Sequence, residues 1–215
     1  MAETGHSCRL YLTLPAKPLA GLGKSFAQAI AGAEVACALL RRDEDLSDGT
    51  GSDESWAREL QQLAHDRQVA FVIEDDVELA HRIGADGVHI SADPSQYRHA
   101  RDLLGNGAIV GVDCRLDRHD AMVLGDMGAD YIAFGTSAAS RTGARDRRDE
   151  LVAWWAATFE VPCVAMDAES AEEAERLAQA GADFITLAET IWQAGDAARL
   201  VGAVGAALRK EGSGS

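Results

Sequence analysis

The chain has no CxxC pair, little positive charge and no long apolar run. Its four cysteines, Cys8, Cys37, Cys114 and Cys163, lie far apart. Three sit inside apolar stretches, so they read as small buried hydrophobes in a reducing compartment, not as zinc ligands or a disulfide framework. Lys and Arg number 20 against 35 Asp and Glu, for a net charge of -15. A surface this acidic excludes nucleic acid as a general partner and disfavours anionic membranes, since phosphate binding needs basic groups. The absence of a long apolar run argues against a signal peptide or membrane span, and a cytoplasmic protein is expected. No Pro/Gly-rich linker divides the chain. Its 215 residues, 47% of them hydrophobic, fit one large α/β domain with a sizeable core. Residues 1–210 are expected to form that domain, and 211–215 (EGSGS) a flexible tail.

Short apolar runs alternate with amphipathic segments. Strands are expected at residues 10–14, 35–40, 69–73, 87–90, 108–112, 131–134, 162–166 and 184–187. Most are continuously apolar, as parallel strands buried on both faces should be. Helices are expected at 55–65, 77–83, 96–104, 120–127, 150–159, 171–180 and 191–208. The mixed-sign run Arg145 to Glu150 reads as a solvated loop and helix start, and the charged Gly/Ser stretch 43–54 as a flexible loop.

An internal echo organises the pattern. Gly84-Ala85-Asp86, Gly128-Ala129-Asp130, Gly181-Ala182-Asp183 and Gly32-Ala33-Glu34 each follow a helix and precede an even-numbered strand. The Gly suits the left-handed position that ends a helix, and the acid is expected to surface before the strand begins. A unit of two βα pairs, repeated four times, gives a (β/α)8 TIM barrel. The alternative is an open doubly wound sheet, which calls for a Gly-rich loop after strand one. Leu14-Pro15-Ala16-Lys17-Pro18 is not such a loop.

In a (β/α)8 barrel the chemistry sits where the strands end. Those ends are acidic: Glu74-Asp75-Asp76 after strand three, Asp93 after strand four, Asp113 after strand five, Asp167 after strand seven and Glu189 after strand eight. Arg41 and Arg42 follow strand two. Converging carboxylates suit a hard cation such as Mg2+, and solvation of the rim is the competing reading. His89, alone within strand four, reads as a satisfied core residue with a catalytic role as the alternative. Trp154, Trp155 and Trp192 read as packing or subunit contacts.

The block Phe71-Val72-Ile73-Glu74-Asp75-Asp76-Val77-Glu78-Leu79-Ala80, followed by Gly84-Ala85-Asp86-Gly87-Val88-His89-Ile90, resembles the thiamine phosphate synthases, which share their barrel with the thiazole tautomerases. Gly111-Val112-Asp113 and Gly128-Ala129-Asp130-Tyr131 through Gly135 continue the likeness, so it spans nearly the whole chain in order. The resemblance implies a (β/α)8 barrel. It also implies a transferase of thiamine biosynthesis that joins a pyrimidine pyrophosphate to a thiazole phosphate with Mg2+, releasing pyrophosphate. Asp75 stands at the family's first metal ligand, and Asp93 one residue before its second, which falls on Pro94. Arg41, Ser140 and Thr142 keep anion-binding positions. Glu74 replaces an asparagine, Asp76 an arginine, Asp113 a serine, and Asp167-Ala168 the phosphate-binding diglycine. Leu39, Asp43 and Gly143 replace a glutamine and two lysines, and Arg115 matches the functional histidine of the tautomerases.

The substrate residues implied are therefore Arg41, Glu74, Asp113, Ser140, Thr142 and Asp167, with Asp75 and Asp93 for metal. Each carboxylate placed about 4 Å from a phosphate costs on the order of 4 kcal/mol at an effective dielectric near 20. Three readings follow: a divergent relative acting on a small heterocycle, a synthase with a rearranged site, and a non-catalytic binding barrel. A homodimer built on the apolar residues of 150–159 and 191–208 is compatible with all three.

Overall fold

A computed structural model describes residues 8–42, 54–135, 143–193 and 195–212, with side chains through Arg209. Eight parallel strands close into a barrel in sequence order. They are β1 (Arg9–Leu14), β2 (Val35–Leu40), β3 (Ala70–Glu74), β4 (Gly87–Ser91), β5 (Ile109–Asp113), β6 (Tyr131–Phe134), β7 (Cys163–Ala168) and β8 (Phe184–Leu187). Eight helices alternate with them: α1 (Leu22–Gly32), α2 (Glu54–His65), α3 (Val77–Ile83), α4 (Pro94–Leu104), α5 (Arg118–Asp126), α6 (Ala144–Ala156), α7 (Ala171–Gln179) and α8 (Ala197–Gly212). The chain is thus a (β/α)8 barrel, as expected, and every strand lies within two residues of its expected span.

Side chains alternate across the barrel wall. Tyr11, Cys37, Leu39, Val72, Tyr131, Ala133, Val164 and Met166 fill the interior, while the intervening residues pack outward against the helices. Trp155 and Trp192 are buried in that outer layer, each bonded through its indole N–H, to the Val161 and Thr13 carbonyls. Both therefore pack within the chain.

The repeated Gly-Ala-Asp does more than turn the chain. Gly84, Gly128 and Gly181 do take left-handed φ of 65°, 95° and 102°. The acids that follow do not merely surface. The carboxylates of Asp86, Asp130 and Asp183 each accept the N–H of a residue at the start of the preceding strand, from Phe71, Val110 and Cys163, all at 2.7 Å. Each acid therefore ties an even strand to its odd predecessor. The Gly32 copy departs from the pattern, because α1 ends on an extended Ala33 at φ -146°.

Four local differences from the expected elements stand out. α1 is an addition to the expected helices. α6 starts at Ala144, well before Glu150, because Arg148 is not solvated. Its guanidinium is 0% exposed and meets Glu173 at 2.6 Å, Asp149 at 2.9 Å and the Met166 carbonyl at 2.8 Å. The expected helix 191–208 is broken into a 3-10 turn, Glu189–Trp192, and α8, with Gly195 at φ 77° between them. The helical backbone continues to Gly212, past the expected start of the tail. Most of the acidic loop 43–54 lies outside the described residues.

Asp130→Ala should leave the buried Val110 N–H without an acceptor and free Arg101 from its 2.6 Å partner. A loss of about 1–3 kcal/mol is expected. It is read as a lower urea midpoint, with Asp130→Asn, which keeps an acceptor oxygen, falling less.

Candidate functional site

The C-terminal ends of the strands gather most of the expected residues, in arrangements the sequence does not disclose. Arg41 extends β2 inward, and its Nε donates to Glu74 Oε2 at 2.8 Å. The same oxygen accepts the Arg42 N–H at 2.8 Å. Glu74 therefore fastens β2 to β3. Burial pulls the Arg41 guanidinium down, but Glu74, Asp167 and Glu189 outweigh it and hold it charged.

The acids after Glu74 are also engaged. Asp75 sits at φ 47°, left-handed for a residue with a side chain. Its Oδ1 accepts the Ser91 N–H at 2.6 Å and its Oδ2 the Ser91 hydroxyl at 2.8 Å. It thus clamps β3 to β4 across the top, opposite the Asp86 tie. Asp76 caps α3 by accepting the Leu79 N–H at 2.8 Å. Asp93 caps α4, accepting the Ser95 N–H at 2.7 Å and its hydroxyl at 2.6 Å. These bonds hold its carboxyl below the usual range. The two carboxylates expected to hold Mg2+ are each engaged by neighbours in this way. Among the described residues, no three His, Cys, Asp or Glu side chains come together as a metal cage. Ser140 and Thr142 lie outside the described residues.

Asp113 and Asp167 are near enough for the charge of one to act on the other. Asp113 accepts the Arg115 N–H at 2.8 Å. Asp167 stands in a bulge of β7 at φ 64°, and its N–H is held by Thr186 Oγ1 at 2.9 Å. Burial, Asp113 and Glu189 push the Asp167 carboxyl up to about 6, against the pull of Arg41 and Arg148. Glu189 is raised too, chiefly by burial, with Arg41 opposing and Glu74 adding to it. Arg41 therefore acts on both Asp167 and Glu189 while it is bonded to Glu74. A cavity of about 350 Å³ is lined by residues 15–19, Lys17 among them, and by Arg41, Arg42, Glu189, Trp192 and Gln193, so three basic residues and one acid border it.

Beneath this rim runs a buried polar chain. Tyr11 and Tyr131 share a hydrogen bond of 2.7 Å, and Tyr131 OH lies 2.9 Å from His89 Nδ1. Gly111, opposite His89, leaves room for the Tyr131 ring, since a Cβ there would come within 1.9 Å of it. His89 is 1% exposed, and burial holds its imidazole below its usual pKa, with Asp113, Glu74 and Asp75 opposing. The ring is neutral at physiological pH. Its Nε2 has no hydrogen-bond partner among the described residues, a condition that costs about 1–3 kcal/mol in a buried site. His89 is therefore only half satisfied, contrary to the reading of it as a satisfied core residue. Tyr11, Thr13, His89, Tyr131 and Thr186 are polar residues at inward positions. Their alternation with apolar neighbours was the signal that could have found them.

A (β/α)8 barrel with a polar, acid-rich mouth over a buried imidazole defines the class. The model of the thiamine monophosphate synthase family matches residues 10–191. A thiamine-phosphate synthase of Rhodospirillum centenum is 43% identical over 193 residues, 86% of this chain and 89% of that one. One from Erythrobacter litoralis is 37% identical over 199 residues, covering 89% and 92%. The chain belongs to the thiamine monophosphate synthase family. In three dimensions it resembles a thiamine phosphate pyrophosphorylase from Pyrococcus furiosus, with TM-score 0.74 at 19% identity, covering 96% of this chain and 98% of that one. That likeness speaks for the fold.

The raised Asp167 gives a stability test with a definite sign. The unfolded carboxyl ionises near 3.8 and the folded one near 6. Its contribution is therefore most favourable below 3.8 and is lost as pH rises through 6. Asp167→Asn, which keeps a side chain tolerant of left-handed φ, should be more stable than the parent at pH 8 by about 1–3 kcal/mol. Thermal melts at pH 8 and pH 4 check this, with the gain expected to shrink at the lower pH.

Proposed function

We propose that this chain works in thiamine biosynthesis as a thiamine-phosphate-synthase-type barrel whose mouth takes a small heterocycle lacking the paired phosphate charges. Membership of the family supports the biosynthetic assignment. One observation carries the choice of substrate class: Arg41 is already bonded to Glu74 at 2.8 Å, while Asp113 and Glu189 both act on the Asp167 carboxyl. A pyrophosphate entering there would meet fixed negative charge, and even one close carboxylate corresponds to about a thousandfold in affinity. The heterocycle would rest above His89, whose free Nε2 offers an uncharged hydrogen-bond partner. Arg41 and the carboxylates would orient its polar edge.

Ordinary synthase activity is the second reading, favoured by the 43% identical relative that carries that name. A thermal-shift panel of thiamine precursors, with and without phosphates, separates the two. Greater stabilisation by the unphosphorylated pyrimidine and thiazole alcohols is expected. Tighter binding of the phosphorylated pair, with Mg2+-dependent turnover that vanishes in Asp75→Ala, would establish the second reading instead.

A further inference from the structure

We propose that Arg148 and Glu173 are positioning residues of the mouth: as a buried ion pair they set the turn that follows β7, and with it the direction in which Asp167 points. This rests on the reading that the strand ends bind the heterocyclic substrate, and it adds the device that shapes one side of that site.

The turn needs such a device. β7 bulges between Ala165 and Ala168, and Asp167 within the bulge takes φ 64°. A side chain makes left-handed backbone unfavourable, so neighbours must hold it there. The Met166 carbonyl accepts Arg148 Nη1 at 2.8 Å. The Asp167 N–H donates to Thr186 Oγ1 at 2.9 Å. The Ala168 carbonyl accepts the Ala188 N–H at 3.1 Å. The Glu169 N–H donates to Glu173 Oε2 at 2.9 Å. The first and last of these bonds belong to one ion pair, because Arg148 Nη2 meets Glu173 Oε1 at 2.6 Å. Arg148 from α6 and Glu173 from α7 thus bracket the turn from both ends.

The bracket is itself held. Arg148 Nε and Nη2 both donate to Asp149 Oδ1, at 3.0 and 2.9 Å, and Asp149 Oδ2 accepts Arg176 Nε at 3.1 Å. Ser170 caps α7 by accepting the Glu173 N–H at 3.2 Å, which fixes the first turn of the helix that carries Glu173. Arg148 is fully buried and Glu173 nearly so. A buried ion pair adds little net stability, since desolvation offsets its attraction. What the planar guanidinium supplies is direction, because its rigid fork reaches a carbonyl and two carboxylates at once.

The test compares the whole parent chain with Arg148→Met/Glu173→Met, which removes both charges together and leaves neither buried alone. Urea unfolding checks that the variant folds. The reporters are the amides of Asp167 and Ala188, whose acceptors the substitutions leave in place. Their hydrogen exchange, measured against amides of β3, should quicken by about tenfold or more in the variant. Unchanged protection would overturn the bracket.

The Asp167 carboxyl gives a second readout. Burial holds it up to about 6, with Arg41, Asp113, Arg148 and Glu189 acting on it. Loss of the Arg148 charge alone would raise it further, whereas a released turn would hydrate it and bring it down toward 3.8. Carbon-13 NMR titration should show the fall. A value unchanged or raised would overturn the positioning of Asp167.

Calorimetry with the unphosphorylated pyrimidine and thiazole alcohols ties the turn to the site. Whichever alcohol the parent binds should bind about tenfold more weakly to the variant. Equal affinity would overturn the role in the site. Binding of neither alcohol by the parent would overturn the reading of the mouth on which that role rests, while exchange and titration still decide the bracket.

Discussion

The barrel depends on a bond between a carboxylate and a backbone amide, made three times. Asp86, Asp130 and Asp183 each stand just before an even strand and accept an N–H from the first or second residue of the odd strand before it. A buried strand N–H left without a partner would be costly. The carboxylate removes that cost and fixes the spacing of the two strands at the lower rim. Arg101 reinforces one copy, meeting Asp130 and the carbonyls of Ala108 and Gly128. β3, β5 and β7 are thereby held at their lower ends, and their upper ends can carry an irregular backbone.

That irregularity falls where function is expected. Asp75, Arg115 and Asp167 follow or end β3, β5 and β7, and all three have positive φ. None is glycine, so each bears a steric cost of about 1–2 kcal/mol. Asp75 is compensated by two bonds to Ser91. Asp167 also carries the burden of a buried carboxyl beside other carboxylates. Unfavourable electrostatics held in this way come at some expense in stability.

Much of the fold was legible because parallel strands buried on both faces announce themselves as apolar runs, and the Gly-Ala-Asp echo sets their phase. The acids of that echo were visible, but their partners were not. A bond from Asp130 to Val110 N–H joins residues whose nearness exists only in the closed sheet. The mouth was legible as a set of residues and not as a set of bonds. Glu74, Asp75, Asp76 and Asp93 look alike in sequence as strand-end acids. In the fold one pairs with an arginine, one clamps a serine and two cap helices. Arg148 was missed for the same reason, since a charge in a mixed run looks solvated until Glu173 is brought beside it from α7.

The three ties also set where the chain could be cut. Each closes a loop of only 15 or 20 residues, and none joins an even strand to the odd strand after it. A circular permutant opened after β4 or β6 would keep every tie inside one short stretch of chain. One opened between β3 and β4 would turn the 15-residue closure from Asp86 to Phe71 into one spanning nearly the whole length. The added entropy grows only with the logarithm of that length, so such a permutant would lose little stability and much folding speed. The barrel is in this sense assembled from quarters, with its kinetic joints between them.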